Sequence, residues 1–211
     1  MSRILITSGP TRQYLDPVRY LKNASSGRMG SALAQAALED GHDVVIVSGP
    51  VDIEYPRGAK VVSVVSTEEM LSACQDAFFD CDGVIGAAAP CDYRPVRVSE
   101  HKIAKTGHPL ELNLIETEDV IATLSRHKEH RWMVGFALET EDPRLRALAK
   151  LEKKSCDLMI LNSTDAMNAL DNSVEILDPS GQLAAAFSGH KEDVARSILG
   201  LIRQRLIQPP E

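Results

Sequence analysis

The chain has 211 residues, 44% of them apolar, which is enough to bury one core, so we expect a single domain over residues 1–211. A formal net charge of −7 and an aromatic content of 4% exclude a broad basic or stacking surface, so we expect no nucleic-acid partner. No apolar run is long enough to span a membrane. Four cysteines without paired spacing are typical of reduced thiols, so we predict a cytoplasmic protein with no membrane partner.

The first half of the chain alternates short apolar runs with amphipathic runs. The predicted strands cover residues 3–7, 43–47, 60–65 and 83–88. One predicted helix follows Gly27, and another begins at Ser66, which forms a capping box with Glu69. A loop of about fifteen residues separates the first strand from the first helix, and loops of that length usually carry function.

The second half begins differently, because residues 90–109 contain prolines and basic residues with little periodicity and indicate a loop or flap. Further strands are predicted over residues 110–115, 132–138 and 157–161, with a turn at 162–164. Helices are predicted over residues 119–124 with Thr117 as cap, from Asp142-Pro143 to about Lys154, and from Ser188 to about Leu206. Residues 174–177 and 183–187 predict a hairpin-like annex. The pattern predicts an α/β fold: a Rossmann-like parallel sheet with helices on both faces.

The stretch from Asn23 to Gly30 places an amide, two serines and two glycines at the start of a predicted helix. Backbone N–H groups at Ser25, Ser26 and Gly27 can face one ligand there, and the helix dipole favours an anion. With Gly9, at the carboxyl end of the first strand, these residues are the predicted anion-binding loop. The alternative is an ordinary helix capped by Ser25 or Ser26.

Three further clusters carry candidate chemistry. Small residues before Asp92 let a flat ring approach the backbone, and Asp92 can accept a hydrogen bond from an amine or a sugar hydroxyl. Lys102, in the predicted flap, can reach phosphates. Phe136 offers a stacking face, and Lys150 with Lys154 shares one side of the next helix. The structural alternatives are a core phenylalanine, an exposed lysine face and an aspartate that caps a turn.

The motifs, taken in order, resemble the phosphopantothenoylcysteine synthetase family, the phosphopantothenate–cysteine ligases of coenzyme A biosynthesis. They cover nearly the whole chain, and each alone is weak whereas the ordered set is specific. The matching pieces are Thr7 to Arg12, Asp16 to Arg19, Asn23 to Gly30, Val47 to Pro50, Asp92-Tyr93, Lys102-Ile103, Gly135 to Ala137, and Lys150 with Lys154. Two pieces depart from the usual family pattern, Pro90-Cys91 before Asp92 and Ala104 between Ile103 and Lys105.

The resemblance implies a ligation in two steps. The carboxylate of 4′-phosphopantothenate attacks the α-phosphate of a nucleoside triphosphate, which gives an acyl-nucleotide and pyrophosphate. The amine of L-cysteine then displaces the nucleotide. The resemblance further implies CTP with Mg²⁺ (ATP being less favoured), a homodimer, and a separate flavin-dependent decarboxylase that acts next.

The same resemblance assigns roles to individual residues. Asn23 would hold the acyl-nucleotide and Lys102 would cover it, and these are the two candidate catalytic residues. Arg19 would bind phosphopantothenate across the dimer interface. The candidate nucleotide-binding residues are Gly86, Ala87, Ala88, Asp92, Thr117, Glu118, Asp119, Val120, Phe136, Lys150 and Lys154. The resemblance leaves the ligands of Mg²⁺ open.

Two other functions compete with the ligase. One is an NAD(P)-binding Rossmann oxidoreductase, which the lack of G-x-G-x-x-G after the first strand disfavours. The other is a non-catalytic nucleotide-binding module of the same fold, of which Ala104 would be a first sign; the presence of Asn23, Asp92 and Lys102 argues against it.

Overall fold

A computed structural model describes residues 1–162 and 171–208 of the protein. The strands are β1 (Arg3–Ser8), β2 (Arg12–Asp16), β3 (Arg19–Lys22), β4 (Asp43–Ser48), β5 (Lys60–Ser63), β6 (Gly83–Gly86), β7 (Tyr93–Pro95), β8 (Leu114–Glu116), β9 (Trp132–Leu138), β10 (Leu158–Asn162), β11 (Asp171–Leu177) and β12 (Leu183–His190). The helices are α1 (Arg28–Glu39), α2 (Thr67–Phe78), α3 (Val120–Ser125), α4 (Pro143–Lys153) and α5 (Lys191–Ile202), which continues into a π-helical turn, Arg203–Ile207.

The central sheet has the order β12-β11-β10-β9-β6-β1-β4-β5. The six strands from β10 to β5 are parallel, so the predicted Rossmann-like sheet is confirmed. The predicted hairpin is also confirmed, and β11 and β12 extend the sheet as two antiparallel strands. Strand order reverses between β1 and β6, and ligands bind in open α/β sheets at the carboxyl edge beside that point.

Alternation along β1 shows how the sheet separates two cores. Ile4 and Ile6 point to the face that α1 and α5 cover, whereas Leu5 points to the face covered by α2, α3 and α4. All three side chains are completely buried. Apolar residues in parallel strands are buried on both faces, which is why these strands read as continuous apolar runs.

Several predicted boundaries are wrong for local reasons. The loop before α1 contains the antiparallel hairpin β2–β3. Neither Ser25 nor Ser26 caps α1: the N-cap is Gly27, whose φ of 76° is a left-handed conformation that glycine adopts without strain. The cap of α3 is Asp119, whose carboxylate accepts from Ala122 N, rather than Thr117.

The predicted flap and the last helix also differ from expectation. Residues 93–95 of the flap form β7, which pairs with β8. Strand β8 covers residues 114–116, so only the last two residues of the predicted strand 110–115 belong to it. The last helix begins at Lys191 because Ser188 belongs to β12. Strand β6 ends at Gly86, two residues early. Most of the predicted turn at 162–164 lies outside the described residues.

Two predictions from composition are tested directly. All four cysteines are buried free thiols. Within residues 1–162 and 171–208, no helix has the length and apolar character needed to cross a bilayer.

The start of α1 lies unusually close to the end of β1. A Cβ added at Gly30 would overlap Ser8 Oγ and lie 2.6 Å from Ser8 Cβ. Ser8 Oγ also donates to Gly27 O at 3.1 Å. The glycine therefore allows the helix N-terminus to stand against the carboxyl edge of the sheet.

We expect Gly30→Ala to lower the free energy of unfolding by about 1–3 kcal/mol, because the added methyl group overpacks a buried contact. Gly200→Ala is the matched control, since a Cβ at this position in α5 meets no atom within 4 Å. That control should be neutral or raise stability by about 0.5–1 kcal/mol through helix propensity. Urea unfolding measures both, and equal effects would contradict the close approach of α1 to β1.

Candidate functional site

The carboxyl edge of the sheet is organised by the parallel pairing of two chain segments. The segment after β1 forms a parallel bridge with the segment after β6, between Pro10 and Ala89, which continues the register of β1 and β6. Ala89 N donates to Gly9 O at 2.9 Å, and Cys91 N donates to the Thr11 hydroxyl at 2.8 Å. Two clefts are lined by the segment after β6, one at the start of α1 and one at the start of α3.

The first cleft has a volume of about 500 Å³ and opens at the start of α1. Its walls are the Asn23–Gly30 stretch, the small residues after β6 and the end of β9. The lining residues include Asn23, Ser25, Ser26, Gly27, Arg28, Ala87, Ala88, Asp92, Phe136, Lys150, Asn162, Asn172 and Lys191.

The second cleft, of about 450 Å³, lies at the start of α3. It takes in the predicted nucleotide-binding residues that the first cleft lacks. Its lining includes Gly86, Ala88, Asp92, Thr117, Glu118, Asp119, Val120, Phe136, Lys153 and Lys154.

The two clefts share one wall, to which Ala88, Pro90, Asp92 and Phe136 contribute. Phe136 packs partly against the core and also lines both clefts, and its role as a stacking face stays a prediction. A molecule with two joined parts could occupy both clefts and pass this wall.

Asn23 links the two loops that form the first cleft. Its side-chain amide donates to Pro90 O at 2.8 Å, and the side chain lies at the surface. The other loop is held by Thr117, whose hydroxyl donates to Cys91 O at 2.6 Å. Asn23 therefore stands at the junction of the α1 loop and the β6 loop.

Lys150 of α4 and Lys154, the C-cap of that helix, line different clefts. Lys150 lines the first cleft and pairs with Glu139 at 2.6 Å. Lys154 lines the second cleft and pairs with Asp119 at 3.0 Å. Their i, i+4 spacing brings them to two adjoining clefts, and their shared role in nucleotide binding stays a prediction.

Asp119 combines a structural and an electrostatic role. Burial alone would raise the pKa of its carboxyl, but the Lys154 ammonium and the Ala122 N–H outweigh burial and lower it. The carboxylate therefore stays ionised at the start of α3, where the helix dipole also favours negative charge.

The structure does not bring three predicted residues to the cleft walls. Gly9 lies behind the wall, where its carbonyl accepts from Ala89 N. Lys102 is exposed on the segment between β7 and β8 and lines neither cleft. Arg19 is bound to Asp16 and to Ile103 O, at 2.7 and 2.9 Å, rather than to a cleft.

Comparison with known proteins assigns the family. Residues 1–206 match the family described as the DNA/pantothenate metabolism flavoprotein C-terminal domain. The chain belongs to this family. Its resemblance to phosphopantothenoylcysteine synthetases is therefore confirmed.

Individual relatives support the same family assignment. The coenzyme A biosynthesis bifunctional protein CoaBC of Vibrio vulnificus (strain YJ016) is 42% identical over 188 residues, which cover 86% of this chain and 47% of that protein. CoaBC of Vibrio cholerae (strain El Tor Inaba N16961) is 38% identical, over 97% of this chain and 53% of that protein. The chain thus spans about half the length of these relatives.

A solved structure covers the full extent of the fold. The crystal structure of the C-terminal domain of CoaBC superposes with a TM-score of 0.82 at 35% identity, over 98% of this chain and 96% of that one. The architecture described above is therefore that of the flavoprotein C-terminal domain family.

The first cleft is also lined by residues that the sequence analysis did not propose as site residues. Arg28, Asn162, Asn172 and Lys191 come from four separate elements. Lys191 is 8% exposed; burial lowers the pKa of its ammonium, and the nearby Arg28 lowers it further. Asn172 donates to Asn162 Oδ1 at 3.2 Å. One sequence feature could have identified Asn162: it lies at the carboxyl end of a predicted parallel strand, where ligands bind in such sheets.

Metal binding was left open by the sequence. Among the described residues, no three His, Cys, Asp or Glu side chains are grouped closely enough to hold a metal ion. Four acidic residues line the second cleft, Asp92, Glu116, Glu118 and Asp119, and Asp92 lines the first cleft as well.

Proposed function

We propose that the chain is a phosphopantothenate–cysteine ligase that works through an acyl-nucleotide intermediate. The observation that best supports this proposal is the pair of adjoining clefts, which share Asp92 and Phe136 in their common wall. An acyl-nucleotide has two parts joined at one phosphate, so it suits two clefts with a common wall. Membership of the family and the names of the relatives support the same reaction.

In the first step, the carboxylate oxygen of 4′-phosphopantothenate attacks the α-phosphorus of the nucleotide, and pyrophosphate leaves. Both reactants are anions, so the protein must offset their repulsion. The start of α1 presents unpaired backbone N–H groups, and Arg28 and Lys150 add positive charge to the same cleft. Holding both reactants in line supplies much of the remaining rate.

In the second step, the amine of cysteine attacks the acyl carbon and the nucleoside monophosphate leaves. Negative charge builds on the acyl oxygen during this attack. The Asn23 amide is the donor at the junction of the two loops, and donors aimed at such an oxygen stabilise the transition state. Lys102 would reach the α-phosphate from the neighbouring segment with its long exposed side chain.

The nucleotide base fits best in the second cleft. Asp92 offers a carboxylate that can accept from the exocyclic amine of cytosine, and the small residues Gly86 and Ala88 line the same cleft. Phe136 can stack on that ring. We therefore propose CTP as the preferred nucleotide, with ATP as the weaker substrate.

Mg²⁺ is proposed only as a companion of the nucleotide. This ion is bound mostly by phosphates and water, and needs one or two carboxylates from the protein. Asp92 and Glu118 offer that number at the second cleft, so the residues fit such an ion. Bound there, Mg²⁺ would neutralise charge on the phosphates.

We also propose that the protein is a homodimer. Nine large apolar side chains are exposed on two arms, the β2–β3 hairpin and the segment from β7 to β8. They are Val18, Tyr20, Tyr93, Val96, Val98, Leu110, Leu112, Leu114 and Ile115. Apolar surface gathered on projecting arms marks an interface, and an interface there would place Arg19 at a second copy's cleft.

The chemistry of the product indicates which reaction would act on it next. The ligase product carries a free cysteinyl carboxylate, and a flavin-dependent decarboxylase is proposed to consume it. The bifunctional names of the relatives, of which this chain spans about half, support the presence of a second activity in the same pathway.

The reaction is tested by pyrophosphate release. With CTP, Mg²⁺ and phosphopantothenate we expect one stoichiometric burst without cysteine and continued turnover with it, because cysteine discharges the intermediate. UTP, GTP and ATP should turn over more slowly at equal concentration. Faster release with ATP would contradict the proposed preference for CTP. If no pyrophosphate release depends on phosphopantothenate, the ligase function is wrong and the alternative of a non-catalytic nucleotide-binding module is favoured.

The role of Asn23 is tested in the same assay with Asn23→Asp. The side chain is exposed, so the free energy of unfolding should change by about 0.5 kcal/mol or less. Turnover should fall, because a carboxylate loses the amide donor and repels phosphate. Full activity in this variant would contradict the role of Asn23.

The role of Lys102 is tested against Lys105, a second exposed lysine on the same segment. Lys102→Ala should lose about a hundredfold or more in turnover, which is the effect of removing one transition-state donor. Lys105→Ala should lose much less. An inactive Lys105→Ala beside a normal Lys102→Ala would mean that the two lysines have exchanged roles.

The proposed dimer is tested by sedimentation equilibrium at micromolar concentration. We expect a dimer for the wild type and dissociation in Val18→Asp, because a buried unpaired charge on the hairpin opposes association. Leu145→Asp, an equally exposed leucine on α4 away from the arms, is the control and should stay dimeric. A monomeric wild type would overturn the proposal.

A further inference from the structure

Asp16, at the end of β2, carries a carboxylate with no exposed surface. Its Oδ1 accepts from the backbone N–H groups of Val18 and Arg19, at 2.9 and 2.8 Å. Its Oδ2 accepts from Arg19 Nη1 at 2.7 Å and from Ile103 N at 3.1 Å. One oxygen therefore closes the hairpin turn, and the other binds a residue 87 positions along the chain.

Ile103 is held at both of its backbone polar groups. Its N–H donates to Asp16, and its carbonyl accepts from Arg19 Nη1 at 2.9 Å. Ser99 N also donates to Leu15 O at 2.9 Å. The segment between β7 and β8 is thus fastened to the hairpin at two points, with Lys102 between them and Lys105 beyond.

A buried carboxylate is costly unless it is paired and hydrogen-bonded. Burial raises the pKa of Asp16, but the N–H groups of Val18, Ile103 and Arg19 and the Arg19 charge outweigh burial and lower it. The ionised form is therefore the one that the fold uses. Both oxygens must be acceptors for the turn and the Ile103 contact to exist together.

We propose that Asp16 is a positioning residue for Lys102. By fixing Ile103, it sets where the neighbouring lysine backbone stands relative to the hairpin. This inference rests on the proposed ligase function and on the proposed role of Lys102.

Asp16→Asn separates the two jobs of the carboxylate. The amide oxygen can still close the turn, which asparagine forms readily. The amide nitrogen would face the Ile103 N–H and the Arg19 guanidinium, all of which are donors, so the contact with the flap segment is lost. Glu100→Gln is the matched control, since it removes one exposed carboxylate from the same segment.

The first measurement does not depend on catalysis. Exchange of the Ile103 amide hydrogen should be slow in the wild type and in Glu100→Gln, and at least about tenfold faster in Asp16→Asn, because a broken hydrogen bond exposes it. An unchanged exchange rate of the Ile103 amide in Asp16→Asn would overturn the proposal that Asp16 holds Ile103 in place. If Asp16→Asn does not fold, Ile103→Pro removes the same hydrogen bond from the other side, and the kinetic test below is run on it.

The second measurement is a double-mutant cycle on pyrophosphate release. Asp16→Asn should lower kcat by about ten- to a hundredfold, since misplacing one group by about 1 Å has effects of this size. The Kd for CTP should change less than threefold. In the Lys102→Ala background the same change should have almost no further effect.

These outcomes separate the inference from the function on which it rests. An equal loss of kcat with and without Lys102 would show that Asp16 does not act through this lysine, and would overturn the inference. If the wild-type protein shows no pyrophosphate release that depends on phosphopantothenate, the ligase function is refuted. The positioning role of Asp16 in catalysis is then refuted with it, even if the hydrogen-exchange result shows that Asp16 holds Ile103.

Discussion

The parallel pairing of two chain segments beyond the ends of β1 and β6 is the constraint on which the site depends. Pro10 forms a bridge with Ala89, and Cys91 N donates to the Thr11 hydroxyl. These paired segments occupy the switch point of the sheet, and the segment after β6 lines both clefts. Asn23 reaches Pro90 from the α1 loop and links the two loops. The two adjoining clefts suit the two-part shape of the proposed intermediate.

The electrostatics of the site are local and oppose the overall charge. The chain carries a formal net charge of −7, which repels phosphates at long range. The first cleft offsets this repulsion with Arg28, Lys150, Lys191 and the start of α1. The second cleft combines cations with the ionised Asp119 beside its helix terminus. The proposed anionic ligands would therefore be bound by donors at short range, where screening by solvent is weakest.

The two arms extend this organisation away from the sheet. Asp16 ties the β2–β3 hairpin to Ile103, so the hairpin and the segment that carries Lys102 form one unit. The outer side of that unit bears exposed apolar side chains such as Val18 and Val96. The proposed dimer contact and the proposed catalytic lysine would then belong to the same structural unit.

The sequence by itself determined the layer architecture and most of the loops that line the two clefts. Apolar runs of strand length that alternate with amphipathic runs have few other ways to bury their surface, so the parallel sheet was predictable. Only the tertiary structure decided which residues share a cleft. It placed Lys150 and Lys154 in different clefts, added Lys191 from a distant helix, and bound Asp16 to Ile103. Such contacts join elements far apart in the chain, and short-range periodicity carries no information about them.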